Sequence, residues 1–280
     1  MIWQTARFQI DLSRARVMGI VNVTPDSFSD GGRYASAHAA IAHCEQLVKE
    51  GADILDIGGE STRPGAEPVS AEEELSRVLP VLREALKLQV PVSIDTYKPQ
   101  VMQAALDLGA DIVNDIRALR WTPEPGQPDG LKVVAAHPNC GVCLMHMHRD
   151  PQTMQVAPME GDVVAQTLSF LKGRAQALLD LGVQASRIVL DPGIGFGKTV
   201  AQNFNLLARQ SELLAAGYPL LAGWSRKSSL RALQHQDIPE DRLIPSIAAA
   251  LLAVERGAKI VRVHDVQETV RALQILHAIK

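Results

Sequence analysis

The sequence predicts a (β/α)₈ barrel, and three observations predict it. Eight short apolar runs rich in branched residues follow one another, each ending in polar residues. Helix-like stretches with apolar residues at helical spacing separate them. Eight such units fill most of the 280 residues, the size usual for one closed barrel, about 250 residues. An open doubly wound sheet is the alternative, but it commonly has fewer strands. No repeat, low-complexity tract or linker divides the chain, so residues 1–280 read as one domain.

The runs, in order, are Val17–Asn22, Asp53–Ile57, Val92–Asp95, Ile112–Asn114, Val142–Met145, Ile188–Asp191, Leu220–Gly223 and Ile260–Val263. The helical stretches are Ala35–Glu50, Ala71–Leu88, Pro99–Leu108, Val163–Leu181, Asn203–Ala216, Ser228–Gln234 with a ragged end, Pro245–Arg256 and Val266–Ile279. Ala118–His137 is the weakest helical segment, because Pro123, Pro125 and Pro128 make its start a loop. Phe8–Leu12 reads as an extra strand that closes the barrel floor.

The second unit sets the pattern. Ile54-Leu55-Asp56-Ile57 is a buried-strand run, Gly58-Gly59 stops it, and Glu60-Ser61-Thr62-Arg63-Pro64 follows. A strand that delivers charge at its C-terminal end is how α/β enzymes build sites. Two long connections, Thr24–Tyr34 and Glu60–Ser70, are rich in Gly, Pro and small polar residues. Both follow strands, which places them on the catalytic face as candidate lids.

Composition narrows the function. The chain is 46% hydrophobic and 21% charged, with net charge −3. That balance fits a globular protein with a sizeable core and excludes a general nucleic-acid binder. No apolar run spans a bilayer, and the first residues do not form a signal peptide. Three cysteines do not make a disulfide framework, which points to a reducing cytosol.

The strand ends carry Asn22, Asp95, Asn114 and Asp191, with Lys227 after the seventh strand and Arg262 and His264 at the eighth. A barrel brings these to one mouth. Asp95, Asn114 and Asp191 suit a flat ring with amino and ring N–H donors. Arg63, Arg262 and His264 suit an anion such as phosphate. Together they suggest a heterocycle bearing phosphate.

Two other patterns read as structural. Asp191–Thr199, DPGIGFGKT, nearly matches a nucleotide phosphate loop, but Pro192 replaces the first glycine and removes a donor. It reads instead as a turn that holds Asp191 and Phe196 at the mouth. Cys140, Cys143, His146 and His148 have suggestive metal spacing, but Cys143 and His146 fall on opposite faces of a strand. His38, His43, His137, His235 and His277 read as surface residues. After the seventh strand, Ser225 is expected to cap a helix whose first N–H groups attract an anion, with the Ser228 hydroxyl as a further donor.

With these residues quoted, the chain resembles the bacterial dihydropteroate synthase family over nearly its full length. The resemblance rests on 19–32 (GIVNVTPDSFSDGG), on Asp56–Gly65, Ser93–Thr96, Asn114–Ile116, Asp191–Lys198, Ser225–Ser228 and Arg262–Asp265. It implies a (β/α)₈ barrel that joins p-aminobenzoate to 6-hydroxymethyl-7,8-dihydropterin diphosphate, with Mg²⁺, releasing pyrophosphate. It implies pterin contacts at Asp95, Asn114, Asp191 and Lys227, with Arg262 stacked near the ring. Asn22 becomes the Mg²⁺-linked ligand, and Arg63, Arg262 and His264 the diphosphate pocket. Thr62, Pro64, Phe28, Phe196 and Ser228 surround p-aminobenzoate. Asp95, Lys227 and Arg63 carry the catalytic roles. The resemblance further implies a cytoplasmic homodimer and a sulfonamide target. A pterin-dependent methyltransferase of the same superfamily is the nearest alternative, followed by a non-catalytic pterin-binding paralogue. His148-Arg149 replaces the usual Gln-Gly, Trp224 is bulkier than usual, and 121–130 is atypical.

Overall fold

The computed structural model describes residues 1–24, 32–62, 66–121, 126–127, 129–149, 154, 159–232 and 242–279, with the side chains of 32–36 left aside. A two-stranded antiparallel hairpin, β1 (Ile2–Gln4) and β2 (Gln9–Asp11), precedes the barrel. The barrel strands are β3 (Arg16–Asn22), β4 (Ile54–Gly58), β5 (Val92–Asp95), β6 (Ile112–Asp115), β7 (Gly141–Met145), β8 (Ile188–Asp191), β9 (Leu220–Ala222) and β10 (Ala258–Val263). Among the described residues these eight pair in parallel in chain order and close into a barrel, with β10 against β3 from Ile260↔Arg16 to Val263↔Gly19.

The helices are α1 (Gly32–Lys49), α2 (Ala71–Ala85), α3 (Pro99–Leu108), α4 (Gly130–Ala136), α5 (Val163–Leu179), α6 (Val200–Ala208), α7 (Gln210–Leu213), α8 (Ser228–Arg231), α9 (Leu243–Glu255) and α10 (Val266–Ala278). Each strand turns one set of side chains outward to these helices and the alternate set inward. Leu55 and Ile57, Val92 and Ile94, Ile188 and Leu190, and Val261 and Val263 belong to the outer core.

The inward set is layered. Met18, Ile54, Ile112, Cys143, Val189, Leu221 and Ile260 form an apolar layer, and Trp3, Ile10 and Leu12 from the hairpin pack against it. Trp3 Nε1 donates to Arg187 O at 2.9 Å. The close fit at this end favours glycine at 141, where a Cβ would lie 3.0 Å from Trp3 Nε1 and 3.2 Å from Gln4 O. The hairpin therefore plugs the N-terminal end of the barrel and leaves the C-terminal end for chemistry. The expected extra strand at Phe8–Leu12 is one half of this plug.

Several helix boundaries differ from the sequence reading by two or three residues, and the stretches after β8 and β9 differ in organisation as well. The stretch expected to start at Asn203 starts at Val200, because Thr199 and Gln202 form a reciprocal capping box. It then divides into α6, α7 and a 3₁₀ turn at Leu214–Ala216, ended by Gly217 at φ 82°. α8 is one turn long; residues 233–241, the expected ragged end, lie outside the described residues.

Candidate active site

On four strands, moving two residues up from the apolar layer exchanges an apolar side chain for a polar or charged one. Ile54 gives way to Asp56, Ile112 to Asn114, Val189 to Asp191 and Ile260 to Arg262, with Asp95 beside them on β5. Arg262 Nε donates to Asp56 Oδ2 at 2.6 Å and Nη2 donates to Asp95 Oδ2 at 2.5 Å. Asn114 Nδ2 also donates to Asp56 Oδ2, at 3.1 Å, which turns its carbonyl oxygen into the remaining acceptor. Asp56 is fully buried. Burial works against the Arg262 charge, but Asp56 and Asp95 more than offset it and hold the guanidinium above its ordinary range. Burial pushes the Asp95 carboxyl up to about 7; Arg262 opposes the rise and Asp56 adds to it.

Asp191 closes the ring of acceptors. Its Oδ1 accepts from Gly193 N–H at 2.7 Å. Burial raises its pKa, opposed by that N–H and by Lys227 and Lys198. Gly193 sits at φ 68°, and a Cβ there would fall 1.9 Å from His146 O, so the turn tolerates only glycine. The lysine of the phosphate-loop lookalike faces inward. Lys198 is 3% exposed and Nζ donates to the carbonyls of Gly193 (2.8 Å), Phe196 (3.2 Å) and His146 (3.2 Å). It staples the turn, a role the sequence reading did not assign to it, and leaves no lysine there for a nucleotide. The turn presents Phe196, whose ring centroid is 4.3 Å from Lys227 Nζ. Burial pushes Lys227 down to about 8, with Asp191 resisting.

The β9 exit corrects one expectation. Ser225 does not cap α8: Lys227 is the cap residue, without a side-chain bond. Ser225 Oγ instead pairs with His264 Nδ1 at 2.9 Å and accepts from His264 N–H at 3.1 Å. Arg226 N–H is taken by Ser246 Oγ at 2.9 Å and Lys227 N–H by Trp224 O at 3.2 Å, so two of the N–H groups expected to face an anion are already occupied. Arg226, at φ 56°, turns outward to Asp265 at 2.6 Å while Lys227 turns in. Trp224 is buried, stacked on Phe204 at 5.6 Å, and is not on the pocket wall. Arg149, where glycine is usual, adopts φ 61°.

These elements enclose a cavity of about 1040 Å³ at the barrel mouth. Of the expected residues, Asn22, Thr62, Asp95, Asn114, Asp191, Phe196, Lys227, Ser228, Arg262 and His264 line it. Phe28, Arg63 and Pro64 lie outside the described residues, as do parts of both candidate lids. Sequence reasoning missed Asp56, which it counted in an apolar run, and gave no individual role to Glu60, which faces the cavity. It also missed Ile116, Met145 and Met154, an apolar shelf along one wall. The cysteine–histidine pattern is structural, as expected. Cys143 faces the barrel interior, while His146 packs outward on Phe170 at 5.0 Å, with burial holding its pKa down to about 2. Among the described residues no three His, Cys, Asp or Glu side chains assemble a metal cage. His137 is half-buried and reaches Asp107 at 3.1 Å, so it is less of a free surface residue than its sequence suggested; His235 lies outside the described residues.

A plugged barrel, buried acceptors sized for a flat ring, and cations beside them define a (β/α)₈-barrel enzyme for a polar heterocycle carrying an anionic group. The sequence model of the pterin binding enzyme family matches residues 18–264. The chain is 50% identical to the dihydropteroate synthase of Neisseria meningitidis serogroup C, across 99% of this chain and 97% of that protein. It superposes on Xanthomonas albilineans dihydropteroate synthase with 4-aminobenzoic acid at TM-score 0.90 and 48% identity, covering 100% of this chain and 98% of that one. Burkholderia cenocepacia dihydropteroate synthase complexed with 7,8-dihydropteroate gives TM-score 0.86 at 49% identity, covering 99% and 96%. The chain belongs to the dihydropteroate synthase family of pterin-binding enzymes.

Proposed function

We propose that this chain condenses 6-hydroxymethyl-7,8-dihydropterin diphosphate with p-aminobenzoate to give 7,8-dihydropteroate and pyrophosphate. The observation that carries this reading is Arg262, which lines the cavity, bridging the buried Asp56 to Asp95 on the cavity wall. It fixes a carboxylate where a cation must form and leaves acceptors around it for the amino and ring N–H groups of a pterin. The relatives' names favour the synthase over a methyltransferase.

In this reading Asp95, Asn114 and Asp191 accept from the ring and Lys227 donates to it. His264, oriented by Ser225, and Arg262 face the diphosphate, joined by Arg63. Mg²⁺, when bound, spreads the charge of the leaving diphosphate. Asn22, at the exit of β3 on the cavity wall, fits as its protein ligand. One neutral amide oxygen suits an ion that keeps waters and takes its other ligands from phosphate. Loss of the diphosphate leaves a positive methylene conjugated to the pterin, and ionised Asp95 stabilises that charge. The arylamine nitrogen then bonds to the methylene carbon and gives up one proton to the released pyrophosphate, so no strong base of the protein is needed. Thr62, Ser228, Phe196, Phe28 and Pro64 surround it, with the Ser228 hydroxyl toward its carboxylate. Sulfonamides, which share that outline, compete there. Detection of dihydropteroate by mass spectrometry after mixing both substrates, Mg²⁺ and the chain tests the reading; a chain that yields none is not a synthase.

The protein acts as a homodimer in the cytoplasm. Ile244 (70% exposed), Ala248 and Leu252 (40%) make an apolar stripe along α9 at a spacing of four residues, which supports association. Among the described residues no helix is long and apolar enough to cross a membrane. A monomer mass in light scattering would reject the dimer.

A further inference from the structure

Lys98 lies beside the cavity without lining it, just ahead of α3, and is 7% exposed. Its ammonium pairs with Glu60, at the exit of β4, and with Glu74 Oε2 of α2 at 2.5 Å. Glu60 also accepts from Tyr97 OH at 3.0 Å. The preceding residue is held as firmly. A Cβ on Gly59 would lie 2.7 Å from Val78 Cγ1 and 3.0 Å from Glu74 Cγ, and Arg77 Nη1 donates to Gly59 O at 2.8 Å. Strand β4, helix α2 and the β5–α3 turn thus converge on Gly59-Glu60. Ser61 and Thr62, which come next, line the cavity.

This is a demanding arrangement for stability alone. Glu74 is 1% exposed, and burial raises its carboxyl despite Lys98. Well-packed apolar side chains usually stabilise such a place as well as a buried ion pair does. What the ions add is direction: Glu60 has two donors fixing its carboxylate, one from Lys98 and one from Tyr97.

We propose that Lys98 and Tyr97 are positioning residues that clamp Glu60 and so set Ser61 and Thr62 against the arylamine half of the cavity. The pterin half, built on Asp56, Asn114, Asp191 and Arg262, does not depend on the clamp. The inference rests on the two-substrate reading above.

Lys98→Met would strand two buried carboxylates and is not the first variant to make. Tyr97→Phe removes one donor and keeps the ring and the ion pair; Glu60→Gln removes the charge and keeps the shape. For each, calorimetry gives pterin diphosphate affinity, kinetics give the KM for p-aminobenzoate, and hydrogen exchange follows the amides of 60–62. Tyr97→Phe should raise the arylamine KM about fivefold, the loss of one hydrogen bond to a carboxylate. Glu60→Gln should raise it further, with pterin affinity held within about twofold in both variants. The amides of Ser61 and Thr62 should exchange about tenfold faster. Equal losses for both substrates, or unchanged KM and exchange, would overturn the clamp. Exchange needs no turnover, so a wild-type chain without synthase activity would refute the functional reading while the clamp is still decided.

Discussion

Arg262 and Asp56 are 206 residues apart in the chain and 2.6 Å apart in the barrel. The contact spans the closure of the sheet, because β10 and β4 flank β3. It also ties stability to the site, since the other arm of the guanidinium holds Asp95. Arg262→Met should destabilise the fold by about 3–5 kcal/mol by leaving Asp56 buried without its cation, held only by the Asn114 amide. Adding Asp56→Asn should restore most of that stability without restoring activity. Urea unfolding of the parent and the two variants checks this; a single variant as stable as the parent would contradict it.

Asp95 makes stability and activity respond to pH in opposite directions. Its carboxyl titrates near 7 in the folded chain against 3.8 for the ordinary group. Between those values the folded state binds more proton than the unfolded one, so this group's contribution is fully present below pH 3.8 and is lost as pH rises through 7. Catalysis needs the ionised form, so kcat should fall as pH drops below 7. Asp95→Asn should therefore gain thermal stability over the parent at pH 8, gain less at pH 5, and turn over poorly at both. Melting curves at the two pH values provide the measurement, and an equal shift at both would count against the raised carboxyl.

The 191–198 turn should serve the ring and not a nucleotide. Gly193→Ala places a Cβ 1.9 Å from His146 O at φ 68° and should cost about 2–4 kcal/mol. Asp191→Asn keeps the turn and should remove most pterin affinity with little effect on the melting temperature. Calorimetry with the pterin separates the two effects. Hydrolysis of ATP by the parent chain would show that the Lys198 staple has been misread.

Much of this was legible in the sequence, because a (β/α)₈ barrel writes each strand as a branched run and each site residue at its end. The strand ends at Asp95, Asp191 and Arg262 were readable on that ground alone. Asp56 was not, since it sits inside such a run; counting every second residue from Ile54 would have placed it on the interior face. Thr199 and Gln202 carried a capping signal that an apolar-period reading passes over. The pairing of Ser225 with His264 spans 39 residues and leaves no local trace. The same holds for the Lys98–Glu60 contact, where a charged residue before a proline looks like an ordinary turn.

The most direct test of the account compares pyrophosphate release with and without p-aminobenzoate, in the presence of the pterin diphosphate and Mg²⁺. The account predicts one pyrophosphate for each dihydropteroate formed, and a rate that collapses when the arylamine is left out or Arg262 is replaced. Pyrophosphate released at the same rate without the arylamine, or dihydropteroate formed equally well by the Arg262→Met variant, would contradict it.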